Sequence, residues 1–322
     1  MAGGSSAAAA PAARRGGVLA ATAVMTALLA VAPFLGVYPV FLMKALCFAL
    51  FACAFNLLVG YAGLLSFGHA MFFGTAGYVT AYAAKVWGLS PELAILTGAA
   101  ASTALGIVTG ALAIRRQGIY FAMITLAMAQ MIFFFYLQAP FTGGEDGIQS
   151  VPRGRLFGFL DLSRPMTMYY VVLAIFLAGF LFVRRVIHSP FGQVLKAIRE
   201  NEPRAISLGY DADRYKLIAF VLSAALSGVA GATKAIVFQL ASLTDVQWQM
   251  SGEVVLMTLL GGMGTVFGPV VGAFTIISLE HFLADRGQWV TVITGTIFVV
   301  CVLAFRRGIV GELAAWWAKR RG

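Results

Sequence analysis

Apolar runs long enough to cross a membrane follow one another along almost the whole chain, and this succession leaves few folds open. A helix needs about 20 apolar residues to cross a hydrocarbon core. On that ruler the sequence holds ten spans: 18–36, 39–59, 66–87, 91–114, 118–138, 167–184, 216–238, 251–264, 267–283 and 289–305. Charged residues are only 11% of the 322 and hydrophobic ones 60%, whereas a soluble domain carries about 25% charged residues. No soluble core of this length buries so much apolar surface, so the main solvent is lipid. The expected fold is an all-α, polytopic integral membrane protein with about ten transmembrane helices. The eighth run is short and flanked by glycine, which marks it as a broken or re-entrant element.

An even number of spans places both termini on one side, and charge says which. Sixteen Lys and Arg fall in segments on the side of the termini, among them Arg14, Arg184, Lys196 and Arg306. Five fall opposite: Lys85, Arg153, Arg155, Arg164 and Arg286. Basic residues concentrate in the cytoplasm, so both termini are expected there. The net charge of +10 is spread in short clusters at span ends, which points to membrane lipid and not to nucleic acid. Residues 1–17 read as a disordered cytoplasmic segment, 18–305 as the transmembrane domain and 306–322 as a basic cytoplasmic tail. Arg14 and Arg15 could open a signal peptide, but the run after them is span-length and lacks a clear A-x-A cleavage site, so a retained helix is expected. Cys47, Cys53 and Cys301 lie in apolar runs without paired spacing, which indicates neither a disulfide framework nor a zinc site.

One polar stretch, 189–216, interrupts the apolar pattern. Ser189 followed by Pro190 is a helix start, and Val194, Leu195 and Ile198 share a face of that helix. Asn201 can cap a second short helix, with Pro203 in its first turn and Gly209 as its stop. Ala205, Ile206 and Leu208 give that helix a small apolar surface, too little to hold it alone. The stretch is either a solvated linker or a helix seated in a groove of a cytoplasmic protein. No Gly-Lys dipeptide occurs, so the phosphate loop G-x-x-x-x-G-K-[ST] is absent, and ATP-driven work would need another chain.

Charges inside spans cost about 2.5–3.5 kcal/mol at a helix centre, which singles out Lys44, Lys234, Glu253 and Glu280. Lys44 and Glu280 are expected to snorkel to the outer interface. Lys234 and Glu253 could pair across a short outer loop or line an outer vestibule. Asn56, Ser66, His69, Thr125 and Gln130 are polar positions that could line a path or bond a neighbouring helix. The stretches LLVGYAGLLSFG (57–68) and TLLGGMGTVFG (258–268) resemble each other loosely. They read either as close helix packing or as a duplicated broken-helix element lining a pathway. The three histidines lack metal-ligand spacing, and no nucleophile sits in a catalytic motif, which argues against a metal enzyme or hydrolase. In the outer segment 138–165, TGGEDG (142–147) reads as a tight turn; Glu145, Asp146, Arg153 and Arg155 could guide a docking protein.

The blocks NLLVGYAGLLSFGHAMFFGTAGY (56–78), GIYFAMITLAMAQ (118–130), TGGEDG, SPFGQVLKAIRENEPRAISLGYD (189–211), YKLIAFVLSAALSGVAGA (215–232) and MSGEVVLMTLLGGMGTVFGPVVGA (250–273) resemble the LivM-type permease subunit of bacterial branched-chain amino-acid ABC importers. The polar block 189–211 is the most specific part. The resemblance implies a heteromeric inner-membrane importer with a second related permease, two cytoplasmic ATPases and a periplasmic binding protein. It also implies that this chain binds no cofactor and that ATP and Mg sit on the ATPases. The coupling-helix role then falls on Glu202, Pro203, Arg204, Ala205, Ile206, Ser207, Leu208 and Gly209. The expected cargo is leucine, isoleucine or valine. The alternatives are urea or short amides, as carried by similar permeases, or a secondary transporter working without ATPases.

Overall fold

The structure, a computed structural model, describes residues 10–283 together with 292–293, 295–296, 299 and 308–312. Cys301, most of the expected tenth span (289–305) and most of the basic tail lie outside the described residues. Among the described residues the chain is all-α, with four two-residue strands. The helices are α1 (Ala10–Val31), α2 (Pro39–Asn56), α3 (His69–Lys85), α4 (Pro91–Ala113), α5 (Ile119–Gln138), α6 (Pro165–His188), α7 (Pro190–Glu200), α8 (Glu202–Ser207), α9 (Ala212–Phe238), α10 (Trp248–Gly261) and α11 (Gly268–Leu283). Five segments are long and apolar enough to cross a membrane: Pro39–Ala62, Pro91–Ala113, Ile119–Gln138, Pro165–His188 and Ala212–Phe238. The 14 residues of α10 rise only about 21 Å at 1.5 Å per residue, short of a core about 30 Å thick. The expected short eighth element is therefore present as a short helix.

From α1 to α6 successive helices alternate in direction between two ends. Tyr169, early in α6, donates to the Leu29 carbonyl late in α1, while Arg184, late in α6, reaches Thr22. One end carries α7 and α8, the other the short strands. Buried positions of α2 run all round the helix, the pattern of a helix enclosed by its neighbours. Helices α3, α4 and α9 meet through small residues: a Cβ on Gly98 would strike Thr80 Oγ1 at 2.1 Å, and one on Gly231 would strike the Phe73 carbonyl at 1.9 Å. Such contacts let backbones approach where lipid offers no hydrophobic drive between helices. Large apolar residues of α4 and α5, among them Leu96, Val108, Met131 and Phe134, face outward.

Several boundaries differ from expectation, three of them instructively. Helix α1 begins at Ala10, ahead of the expected first span; its alanines are strong helix formers, and Pro11 sits in the first turn, where proline is tolerated. Helix α3 begins at His69 because Ser66 to Gly68 serve its cap. Helix α9 begins at Ala212, inside the stretch read as loop, with the Asp211 side chain accepting from the Arg214 N–H at 3.2 Å.

Candidate functional site

The polar stretch folds into α7 and α8 on the caps its sequence announces. Ser189 Oγ accepts from the Gly192 N–H at 3.4 Å, and Asn201 Oδ1 from the Arg204 N–H at 3.1 Å. Gly209 ends α8 at φ +90°, a left-handed turn that suits glycine. Leu195 and Ile198 are buried, and Ile198 shares a small core with Ala205 and Ala212. Helix α8 divides its residues by face. Glu202 turns inward, where its Oε1 receives Lys216 Nζ at 2.5 Å and Gln117 Nε2 at 3.0 Å. Ala205 is buried, whereas Pro203, Arg204, Ile206, Ser207, Leu208 and Gly209 are exposed. Ile206 is 55% and Leu208 70% exposed.

Directly behind α7 the two glycine-rich stretches meet. Helix α2 continues into a π-turn, Leu57–Ala62, and the 262–267 turn joins α10 to α11. Asn56 spans the gap: its Nδ2 donates to the Thr265 carbonyl and its Oδ1 accepts from the Gly264 N–H, both at 2.9 Å. Tyr61 donates its hydroxyl to the Gly264 carbonyl at 2.9 Å. Three bonds thus satisfy turn groups that would otherwise lack backbone partners, the requirement on any broken helix inside a membrane protein. Gly60 and Gly264 lie where the two stretches meet, and a Cβ on Gly60 would lie 2.7 Å from the Gly264 nitrogen. Close packing, the first reading of the glycines, also holds for Gly261, where a Cβ would lie 1.8 Å from the Gly268 carbonyl.

The other polar positions are tied into the bundle. Ser66 Oγ and Thr125 Oγ1 accept from the N–H groups of Gly68 and Phe67, and Ser251 Oγ from that of Ala70. The bonds from Gly68 and Ala70 satisfy N–H groups at the start of α3, which have no intrahelical partner, and the bond from Phe67 fixes the chain entering it. His69 is fully buried among Phe55, Phe72 and Phe220. Its Nε2 lies 2.8 Å from Ser223 Oγ, which itself donates to the Ala54 carbonyl. The Ser223 proton is thereby used, so Nε2 carries the imidazole hydrogen. Gln130 is half-buried on α5.

The intramembrane charges pair differently from expectation. Lys234 pairs with Asp245 and not with Glu253, because the turn after α9 folds Asp245 back over the end of that helix while Glu253 lies farther along α10. Lys44 and Glu280, both partly exposed, form an ion pair at 3.1 Å between α2 and α11. At the strand end, β1 (Ile148–Gln149) pairs antiparallel with β4 (Leu240–Ala241), and β2 (Arg155–Leu156) with β3 (Leu160–Asp161). TGGEDG forms tight turns that leave Glu145 and Asp146 exposed, and Arg155 is exposed too. Arg153 is half-buried and donates to the Val237 carbonyl at 2.7 Å, where a cation suits the carboxyl end of α9. The Ser163 N–H, 2.9 Å from Asp161 Oδ1, holds that exposed carboxyl below its ordinary range. Beside β1 a cavity of about 440 Å³ is lined by aromatic side chains, including Tyr78, Tyr82, Trp87 and Tyr136. Neither it nor the role of Asp245 is announced by a sequence pattern.

These features define a class: a polytopic α-helical membrane protein with an organised polar loop that rests on two facing helix breaks. Comparison with known proteins narrows the class to a family. The model for branched-chain amino acid transport system / permease component matches residues 38–304, and the chain belongs to that family. It is 27% identical over 278 residues to the high-affinity branched-chain amino acid transport system permease protein LivM of Salmonella typhimurium. LivM of Escherichia coli is 26% identical over the same length. Each alignment covers 79% of this chain and 65% of the relative, so the chain spans about two thirds of those proteins. The ribose import permease protein RbsC of Bacillus subtilis is 26% identical over 308 residues, 85% of this chain and 92% of that protein. No solved structure gives a significant match. The likeness to LivM-type permeases read from the sequence is thus shown.

Proposed function

We propose that the chain is the transmembrane permease subunit of an ATP-driven, binding-protein-dependent importer of branched-chain amino acids. It works beside a second related permease, two cytoplasmic ATPases and a periplasmic binding protein. The chain crosses the bacterial inner membrane with both termini in the cytoplasm, which the distribution of Lys and Arg supports. The loop end then faces the cytoplasm. Glu145, Asp146 and Arg155 face the binding protein at the opposite end. ATP and Mg are held by the ATPases.

One observation carries this reading. Helix α8 is fixed from behind by Glu202 and Ala205 yet leaves Ile206 and Leu208 uncovered. An apolar edge held in place but unfilled suits a helix-in-groove contact. Changing both residues to Asp should leave membrane abundance unchanged, since exposed substitutions alter stability by no more than about 0.5 kcal/mol. Burying an unpaired carboxylate costs several kcal/mol, so the doubly substituted chain should fail to retain its ATPases on purification and should lose uptake. Normal retention with normal uptake would show α8 to be a solvated linker. A ligand panel of leucine, isoleucine, valine, urea, short amides and ribose, tested on the cognate binding protein, identifies the cargo.

A further inference from the structure

We propose that Arg199 is the positioning residue through which movement of α8 reaches both helix breaks; this rests on the reading of α8 as the ATPase seat. The last four carbonyls of a helix have no partner within it, and Gly60 lies in the closing turn of the segment that α2 begins. Its carbonyl accepts from Arg199 Nη1, across from α7. The stem of the same side chain lies on Gly63, where an ideal Cβ would be 3.0 Å from Arg199 Cγ. A Cβ on Gly264 would be 3.6 Å from Arg199 Nη1. One guanidinium therefore bonds the end of the α2 segment and lies beside the turn between α10 and α11.

Neighbouring contacts make the junction continuous. Lys196, one turn earlier on α7, places Nζ 5.4 Å from the centre of the Tyr61 ring, and Tyr61 is bonded to Gly264. Asn201 alone separates α7 from α8, and its N–H donates to the Ala197 carbonyl at 3.0 Å. A displacement of α8 is therefore carried into α7 and from there to the backbone at Gly60 and Gly264. Arginine suits this position for two reasons. Its fixed charge complements the negative end of the helix, and its rigid fork of donors keeps its geometry as it moves. Arg199 is itself exposed, so its weight lies in where it binds and not in buried area.

The test uses the full transporter, with ATPases and binding protein, in liposomes. Arg199→Gln keeps a donor but removes the charge and the fork. The expected result is normal membrane abundance and ATPase retention, continued ATP hydrolysis, and a rise of about tenfold in ATP consumed per solute taken up, within the about 5–150-fold typical of coupling between sites. Arg199→Lys should fall between. An unchanged ratio with ATPases retained would overturn the proposal. Loss of ATPase retention would overturn it too, by making Arg199 a docking residue; loss of both variants from the membrane would make it a folding residue. Failure of the underlying reading shows elsewhere: Ile206→Asp with Leu208→Asp would then retain the ATPases, whatever Arg199→Gln does.

Discussion

Helices α7 and α8 follow one another in a single polar loop and open on the same kind of cap, yet they treat their apolar residues in opposite ways. In α7, Leu195 is fully buried and Ile198 is 2% exposed. In α8, Ile206 and Leu208 stand largely clear of the body. Length accounts for part of the difference. The 11 residues of α7 repeat an apolar side every three or four positions, enough for a continuous inward stripe. The 6 residues of α8 turn one small side chain, Ala205, inward and leave the next apolar residues outside. Position accounts for the rest: α7 lies on the π-turn after α2, while α8 overhangs and is tied back through Glu202. One helix thus belongs to the body, and the other is a surface that the body holds still.

The largest test of that contrast is a matched pair of truncations. Leu195→Ala removes a side chain from a closed site and should cost about 2–5 kcal/mol. Ile206→Ala should stay within about 0.5 kcal/mol. Thermal unfolding of the isolated permease in detergent should show a lowered midpoint for the first and almost none for the second. Equal shifts would mean that α8 is packed as part of the body after all.

A smaller effect is expected at the tie between α8 and α9. Removing one partner of a buried ion pair costs about 3–5 kcal/mol, but the Glu202 side chain is 21% exposed and keeps its bond from Gln117. Lys216→Met should therefore fall below that range, and the loss should concentrate in α8. The readout is ATPase retention: weakened at low ATPase concentration and restored by excess. Unchanged retention would show that Ala205 and the cap hold α8 without the ion pair.

What the sequence disclosed follows the range of the forces involved. Ser189, Asn201 and Gly209 were legible because capping and left-handed turns are set within a few residues. The all-α membrane class was legible because lipid imposes the same length on every span. Partners across space were not. Lys234 has acidic residues ahead of it in both a turn and a helix, and only the fold brings Asp245 into contact. The likeness of 57–68 to 258–268 showed two similar breaks, but likeness does not imply contact. Arg199 was least legible, since its target is a backbone carbonyl, which no side-chain pattern announces.

The smallest effect separates the caps themselves. Replacing an Asn or Ser cap with Ala costs about 1 kcal/mol, and where it acts depends on what else holds the helix. Helix α8 has one buried apolar residue and a six-residue length, so loss of the Asn201 cap should open α8 locally. Helix α7 is held by Leu195 and Ile198, so loss of the Ser189 cap, whose bond is the longer at 3.4 Å, should open nothing by itself. In the permease without ATPases, Asn201→Ala should speed amide exchange at Arg204 and Ala205 about fivefold, the factor that about 1 kcal/mol supplies to a local opening. Ser189→Ala should leave exchange along α7 nearly unchanged. Faster exchange through both helices in either variant would mean that they open as one unit, and α7 would then be as loosely held as the helix it supports.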